Sequence, residues 1–305
     1  MLVHKGADEE AMLKLIDEFF ETFIDVIKTI LNDMKILDSK YDNAYGYIVL
    51  SLRGILVQLD GMKTLFAKQN SEASQILLRG IYEASLQLIY FIEEPSLLNE
   101  NNAIYQLCHA RDFEKTIQKM KKYSKKNIFS EHKEKQILSI REKHKHLYEK
   151  LLRESNNFKK NKPWYSVSGE LHNKRIGNVK ELSEYLKLMD GQPYVIFYDF
   201  IYSRTSSYTH GQTMADVVYN TDEQFIFLPI HYLESSSFFI TGLWKIIEGL
   251  LSRMLPFLSE NGVVLPNLDG DKLNRQRALV EEIKRYDSIL SEMPVYYGRV
   301  ATFTR

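Results

Sequence analysis

Apolar residues recur at intervals of three and four over most of this chain, the period of helices with one buried face. Met12, Ile16, Phe19, Phe20, Phe23, Ile27, Ile30, Leu31 and Met34 form one such stripe and predict a long first helix. Leu52, Leu56, Leu59, Met62 and Phe66 predict a second, from about Tyr45 to Lys68. Asn70-Ser71-Glu72 breaks the pattern, with Ser71 the expected N-cap of a third helix that ends before Pro95. That third helix is apolar nearly all round and should be central. Further helices are expected at about Leu97 to Tyr123, Glu131 to Ser155, Val179 to Met189, Tyr194 to Tyr219, His231 to Leu258 and Asp271 to Ser291. Asn156 to Glu170, with Pro163, reads as loop, and Thr221 to Leu228 as loop or a short extended piece. Asp190-Gly191-Gln192-Pro193 reads as a stop and restart, with Gly as C-terminal cap. The expected fold is all-α, one bundle of about eight or nine helices across residues 1–305. A turn-rich loop, Asn261 to Gly270, precedes the helix at about 271–291, which leaves three places for it: peripheral, packed back on the bundle, or swapped to a neighbouring chain.

Composition narrows the class. The chain has 305 residues, 44% hydrophobic and 26% charged, with only 14 Gly and 7 Pro, too little punctuation for a turn-rich all-β fold. One cysteine, Cys108, excludes an internal disulfide and a Cys-based zinc site. Met1 to Glu10 lacks the apolar core of a secretory leader, so a reduced, cytoplasmic setting is expected. Ser236 to Leu258 is the most apolar long segment, but it carries Lys245, Glu248 and Arg253 near one face. It reads as a buried amphipathic helix, with no membrane span.

Forty basic and forty acidic residues give a net charge of zero, but the balance is not local. Between His109 and Lys162 there are 17 Lys and Arg against 7 Asp and Glu. A basic helical projection at about 109–162 follows. Lys121, Lys122, Lys125, Lys126, Lys159 and Lys160 are its densest part, and Trp164 is one of several interleaved aromatic residues. Lysines can track a phosphate backbone while aromatic rings stack on bases, so these residues are candidate contacts for RNA or another polyanion. The alternative is a solvated face of two protruding helices, or one that meets the acidic remainder of a second subunit.

Several chemistries leave no trace. There is no Gly-x-Gly turn, no Gly-Lys-Ser/Thr loop and no Gly-x-Ser-x-Gly elbow. No His has an acidic residue three positions before it, so the ligand pairs of di-iron bundles are missing. No metal and no cofactor are expected. Polar residues do stand at two apolar places. Arg79 and Glu83 are four apart on the most apolar helix and can pair. Tyr202, Ser206 and His210 are spaced four and four and line one helix face. Together these five form a candidate polar cluster. A buried network that fixes helix register and a binding pocket are both open readings of it.

The order of these features resembles a family of uncharacterised bacterial all-helical proteins. Its pattern is Arg-x-x-x-Glu on an early apolar helix, a Trp-containing loop, a short helix, then Tyr-x-x-x-Ser-x-x-x-His. Arg79, Glu83, Trp164, Tyr202, Ser206 and His210 carry the match, from about Leu50 to Tyr219. A second resemblance is to HEPN proteins of bacterial defence, toxin–antitoxin and RNA-processing systems, through Arg204-x5-His210. It implies a homodimer in which Arg204 stabilises a phosphate and His210 assists attack of an RNA 2′-OH without metal. Glu83 stands beside these two as a further candidate catalytic group. On an ideal helix Arg204 and His210 lie about 120° apart, so acting together needs a long reach of the Arg side chain, an irregular helix start or a partner subunit. Three functional readings stay open: a HEPN-like ribonuclease, a non-catalytic protein that binds nucleic acid, a ligand or a protein, and an unrecognised enzyme.

Overall fold

The computed structural model describes residues 7–34, 44–68, 70–123, 131–187, 194–202, 218–220, 224–227, 236–263, 270–292 and 303–304. The helices are α1 (Ala7–Asp33), α2 (Ala44–Ala67), α3 (Ser71–Ile92), α4 (Leu98–Tyr123), α5 (Glu131–Lys143), α6 (Lys145–Glu154), α7 (Asn156–Lys159), α8 (Trp164–Leu171) and α9 (Val179–Tyr185). A short segment α10 (Val195–Phe197) runs into a π-helical turn, Tyr198–Tyr202. Helices α11 (Ser236–Glu260) and α12 (Gly270–Glu292) follow. The fold class is all-α, as the periodicity predicts. Three short strands accompany the helices: β1 (Val218–Asn220), β2 (Gln224–Phe227) and β3 (Phe303–Thr304), antiparallel in the order β1-β2-β3.

The chain divides into two compact units. The first comprises Met1–Ser39, Val49–Leu86 and Ile196–Arg305. Here the α1 stripe behaves as the sequence predicts: Met12, Ile16, Phe19, Phe20, Phe23, Ile27, Ile30 and Met34 are buried. Phe23 packs edge-on against Phe19 at 4.9 Å and reaches Trp244 of α11 at 5.7 Å. Helix α12 packs back on α1. Its Leu279, Val280 and Ile283 are buried, each contributing about 1.5–3 kcal/mol. The Gln276 amide donates to the Phe19 carbonyl at 3.1 Å, and Arg275 makes a two-pronged pair with Glu18 on the rim. Burial supplies most of this contact, because exposed ion pairs add little. Between α2 and α3 the approach is close: a Cβ at Gly80 would sit 2.0 Å from the Gln58 amide oxygen.

The second unit comprises Lys40–Ile48 and Gln87–Val195. Trp164 is at its centre, with rings of Tyr47, Tyr90, Phe91 and Tyr105 at 5.4 to 6.4 Å. Helices α4 and α5 bury a smaller patch of Ala110, Ile117 and Ile137.

Four local expectations need correction. Asn70, rather than Ser71, caps α3: its side-chain oxygen accepts from the Ala73 amide at 3.1 Å. The expected helix from Glu131 to Ser155 breaks at His144, whose φ of −113° and ψ of 29° are not helical. The expected loop from Asn156 to Glu170 holds α7 and α8. Ser155 caps α7 by accepting from Phe158 N, and Pro163 with φ −55° precedes the first turn of α8. These breaks raise the helix count among the described residues above eight or nine. Finally, the helix expected to reach Tyr219 does not: Val218, Tyr219 and Asn220 are β1, paired with Phe227, Ile226 and Phe225. Val and Tyr fit a pleated ladder better than a helix end.

Candidate functional site

Helix α3 places Arg79 and Glu83 one turn apart, and the π-helical turn brings Tyr202 onto them from 123 residues further along. Arg79 Nε donates to Glu83 Oε1 at 2.9 Å. A terminal guanidinium nitrogen donates to the Tyr202 hydroxyl, and the guanidinium carbon lies 3.8 Å from the centre of the Tyr202 ring. Tyr198 stacks on the other partner of that pair, 4.6 Å from the Tyr202 ring and 16° from parallel. The cation is thus held by a carboxylate, a hydroxyl and a π face at once. Arg79 and Glu83 side chains keep 26% and 29% exposure, so the cluster sits at the edge of the core.

Titration follows from this geometry. Burial disfavours the charged Arg79, but the Glu83 hydrogen bond and the adjacent Tyr202 and Glu83 outweigh it, and its pKa rises. The Tyr202 pKa also rises. Burial is the main cause and the Glu83 charge the second, while Arg79 opposes them. Tyr202 therefore stays a neutral phenol that can donate as well as accept. Among the described residues no three His, Cys, Asp or Glu side chains are grouped to hold a metal ion.

Of the five residues expected in the polar cluster, Arg79, Glu83 and Tyr202 meet. Ser206, His210 and Arg204 lie outside the described residues, as do Lys125 and Lys126. Tyr198 was missed, although its spacing of four from Tyr202 was a readable signal.

In the second unit Lys121, Lys122, Lys159 and Lys160 are exposed. Lys121 pairs with Glu134 at 2.9 Å, and Lys159 Nζ donates to the Arg153 carbonyl at 2.9 Å. Trp164 is 5% exposed, and its indole N–H donates to Gln87 Oε1 at 3.0 Å. Its ring faces are spent on core packing and offer nothing for a base to stack on. Two residues that sequence reasoning missed shape this region. Arg111 is buried and donates to the carbonyls of Phe158 and Lys162 at 2.8 and 3.1 Å. Glu170 accepts from the Asn156 and Asn157 amides at 3.1 and 2.9 Å and from the Ser155 hydroxyl at 2.5 Å. Together they fix the backbone that carries Lys159, Lys160 and Lys162, with Asn161 at a left-handed φ of 58°. The partners of Arg111 lie 47 and 51 residues away, so no local spacing signals them.

The fold and these sites define an all-α protein with a partly buried Arg–Glu–Tyr cluster in its first unit and a lysine-rich surface in its second. The chain belongs to DUF5677, a family of unknown function, whose model matches residues 45–225. That span contains Arg79, Glu83 and Tyr202. Comparison with curated proteins and with solved structures found no match. No helix among the described residues is long and apolar enough to cross a membrane.

Proposed function

We propose that this protein binds a polyanion, single-stranded RNA before others, through the exposed lysines of α4, α5 and the segment from α7 to Pro163. The observation that carries the reading is a surplus of cations over the local acids, most of which are already paired. Glu114, Glu134, Asp112, Glu142 and Glu154 are each already paired with a local base. Lys119, Lys122, Lys143, Lys160 and Lys162 are exposed with no ion pair among the described residues. Unneutralised lysines at this density attract phosphates and release counterions on binding. The Arg79–Glu83–Tyr202 cluster is then a network that fixes helix packing in the first unit. The test is a titration of a labelled single-stranded RNA between about 50 and 200 mM salt. Affinity should fall steeply as salt rises; a flat dependence, or no binding at low salt, sinks the reading.

A second reading, a metal-independent ribonuclease with Arg204, His210 and Glu83, draws support from one contact. Tyr202 touches Arg79, and in the chain Tyr202 precedes Arg204 by two residues and His210 by eight. On this reading His210→Ala stops RNA cleavage in the presence of a chelator and leaves a folded protein. Cleavage that survives His210→Ala, or wild-type protein that cuts no RNA, rejects it.

A further inference from the structure

Helix α2 carries an outward stripe that the first unit does not cover. Leu50 is 59% exposed and Val57 64%, against buried Leu52, Ile55 and Leu59 on the other side of the same helix. Arg53 and Asp60 are exposed on the same stripe, at steps of three and four from these two, and neither has an ion pair among the described residues. The surface is open as well as apolar, since a Cβ built on Gly54 meets nothing within 4 Å.

The stripe is its own complement. Arg53 lies four residues before Val57 and Asp60 three after, about 6 and 4.5 Å along the helix axis. A second α2 laid antiparallel about a two-fold axis at Val57 puts Arg53 opposite the partner's Asp60, and the same pair forms again by symmetry. Val57 then meets the partner's Val57, and Leu50 is covered by the last turns of the partner helix. A parallel arrangement in register would set Arg53 against the partner's Arg53, which repels. From the charge order we infer that the exposed face of α2 docks a second copy of this chain, antiparallel, through Leu50, Arg53, Val57 and Asp60. The surface belongs to the first unit and is independent of the polyanion reading.

The experiment is light scattering of the purified full chain after size exclusion. Wild-type protein should show twice the 35.8 kDa chain mass. Arg53→Asp and Asp60→Arg should each weaken the dimer at least about tenfold, because each sets two like charges face to face. The double variant R53D/D60R should regain the dimer, which a general loss of folding cannot do. Val57→Cys should cross-link to a covalent dimer under oxidation. The native Cys108 will not compete: it is buried, and burial pushes its thiol pKa up to about 12. A monomeric wild type, as expected if some other protein covers α2, overturns the inference. So does a dimer that ignores both single reversals, or a double variant that stays monomeric.

Discussion

Arg79 holds a charge that its surroundings have largely removed from water, and the two groups that compensate it differ in kind. Glu83 supplies an opposite charge and a hydrogen bond, whereas Tyr202 supplies a hydroxyl and a ring. Removing each should therefore cost a different amount. Tyr202→Phe keeps the ring over the guanidinium and loses only the hydroxyl. A hydrogen bond to a charged group is worth about 1.5–3 kcal/mol when buried, and the exposure that remains here lowers the expected loss to about 0.5–1.5 kcal/mol. Glu83→Ala leaves the cation without its counter-charge. A fully buried pair would lose about 3–5 kcal/mol, but these side chains keep about a quarter of their exposure, so about 1–2 kcal/mol is expected. Urea unfolding at neutral pH checks the order. A Glu83→Ala variant as stable as Tyr202→Phe would mean that water already compensates Arg79. Half of this cluster is legible in the sequence. Arg79 and Glu83 are four apart, which is enough to pair them. Tyr202 is named by its own spacing to Ser206 and His210, but local physics does not say which helix it touches, because the contact closes a 123-residue loop.

At the level of the element, the segment from Ser155 to Leu171 shows where periodicity stops being informative. The stripe of α1 reads directly because nine apolar residues share one face. Between Asn156 and Glu170 the only strong local sign is Pro163, which reads as easily as a loop as the start of α8. What decides is Glu170, which reaches back 13 and 14 residues to satisfy two open amides at the start of α7. A cap that distant has no fixed spacing to search for. It does have a pH signature. Burial pushes the Glu170 pKa up, but its hydrogen bonds from Ser155, Asn157 and Asn156 and the nearby Lys159 outweigh that and hold it below 4.5. Its folded value is thus below its unfolded one. The stability it contributes is complete above about pH 4.5 and is lost as pH falls through the depressed folded value. Glu170→Gln should be less stable than wild type at neutral pH, and the gap should narrow as pH falls below 4.5. Urea midpoints for both proteins at descending pH test this; a gap that is constant or widens in acid would show that the carboxylate charge does not hold α7.

For the whole molecule, zero net charge conceals an arrangement. The 54 residues from His109 to Lys162 carry a surplus of ten positive charges, and the other 251 carry the matching deficit. All the described residues of that stretch fall in the second unit, whose local acids are largely spent in pairs with local bases. The surplus is therefore available to an outside anion. Within it, Lys160 and Lys162 stand on backbone fixed by Arg111 and Glu170, so holding them against a phosphate requires little further ordering. Lysines at the same net charge on freely moving backbone would lose more entropy on binding. This separates a site from a diffuse cloud of charge. Removing two phosphate contacts with Lys160→Ala and Lys162→Ala should lower the slope of log affinity against log salt by about 1.4 for single-stranded RNA. The loss should be alike for unrelated sequences, since backbone contacts read no bases. Lys28→Ala with Lys68→Ala removes the same charge from exposed positions in the first unit and should leave the slope near that of wild type. If both pairs lower it equally, the binding follows overall charge, and the ordered lysine loop has no special part in it.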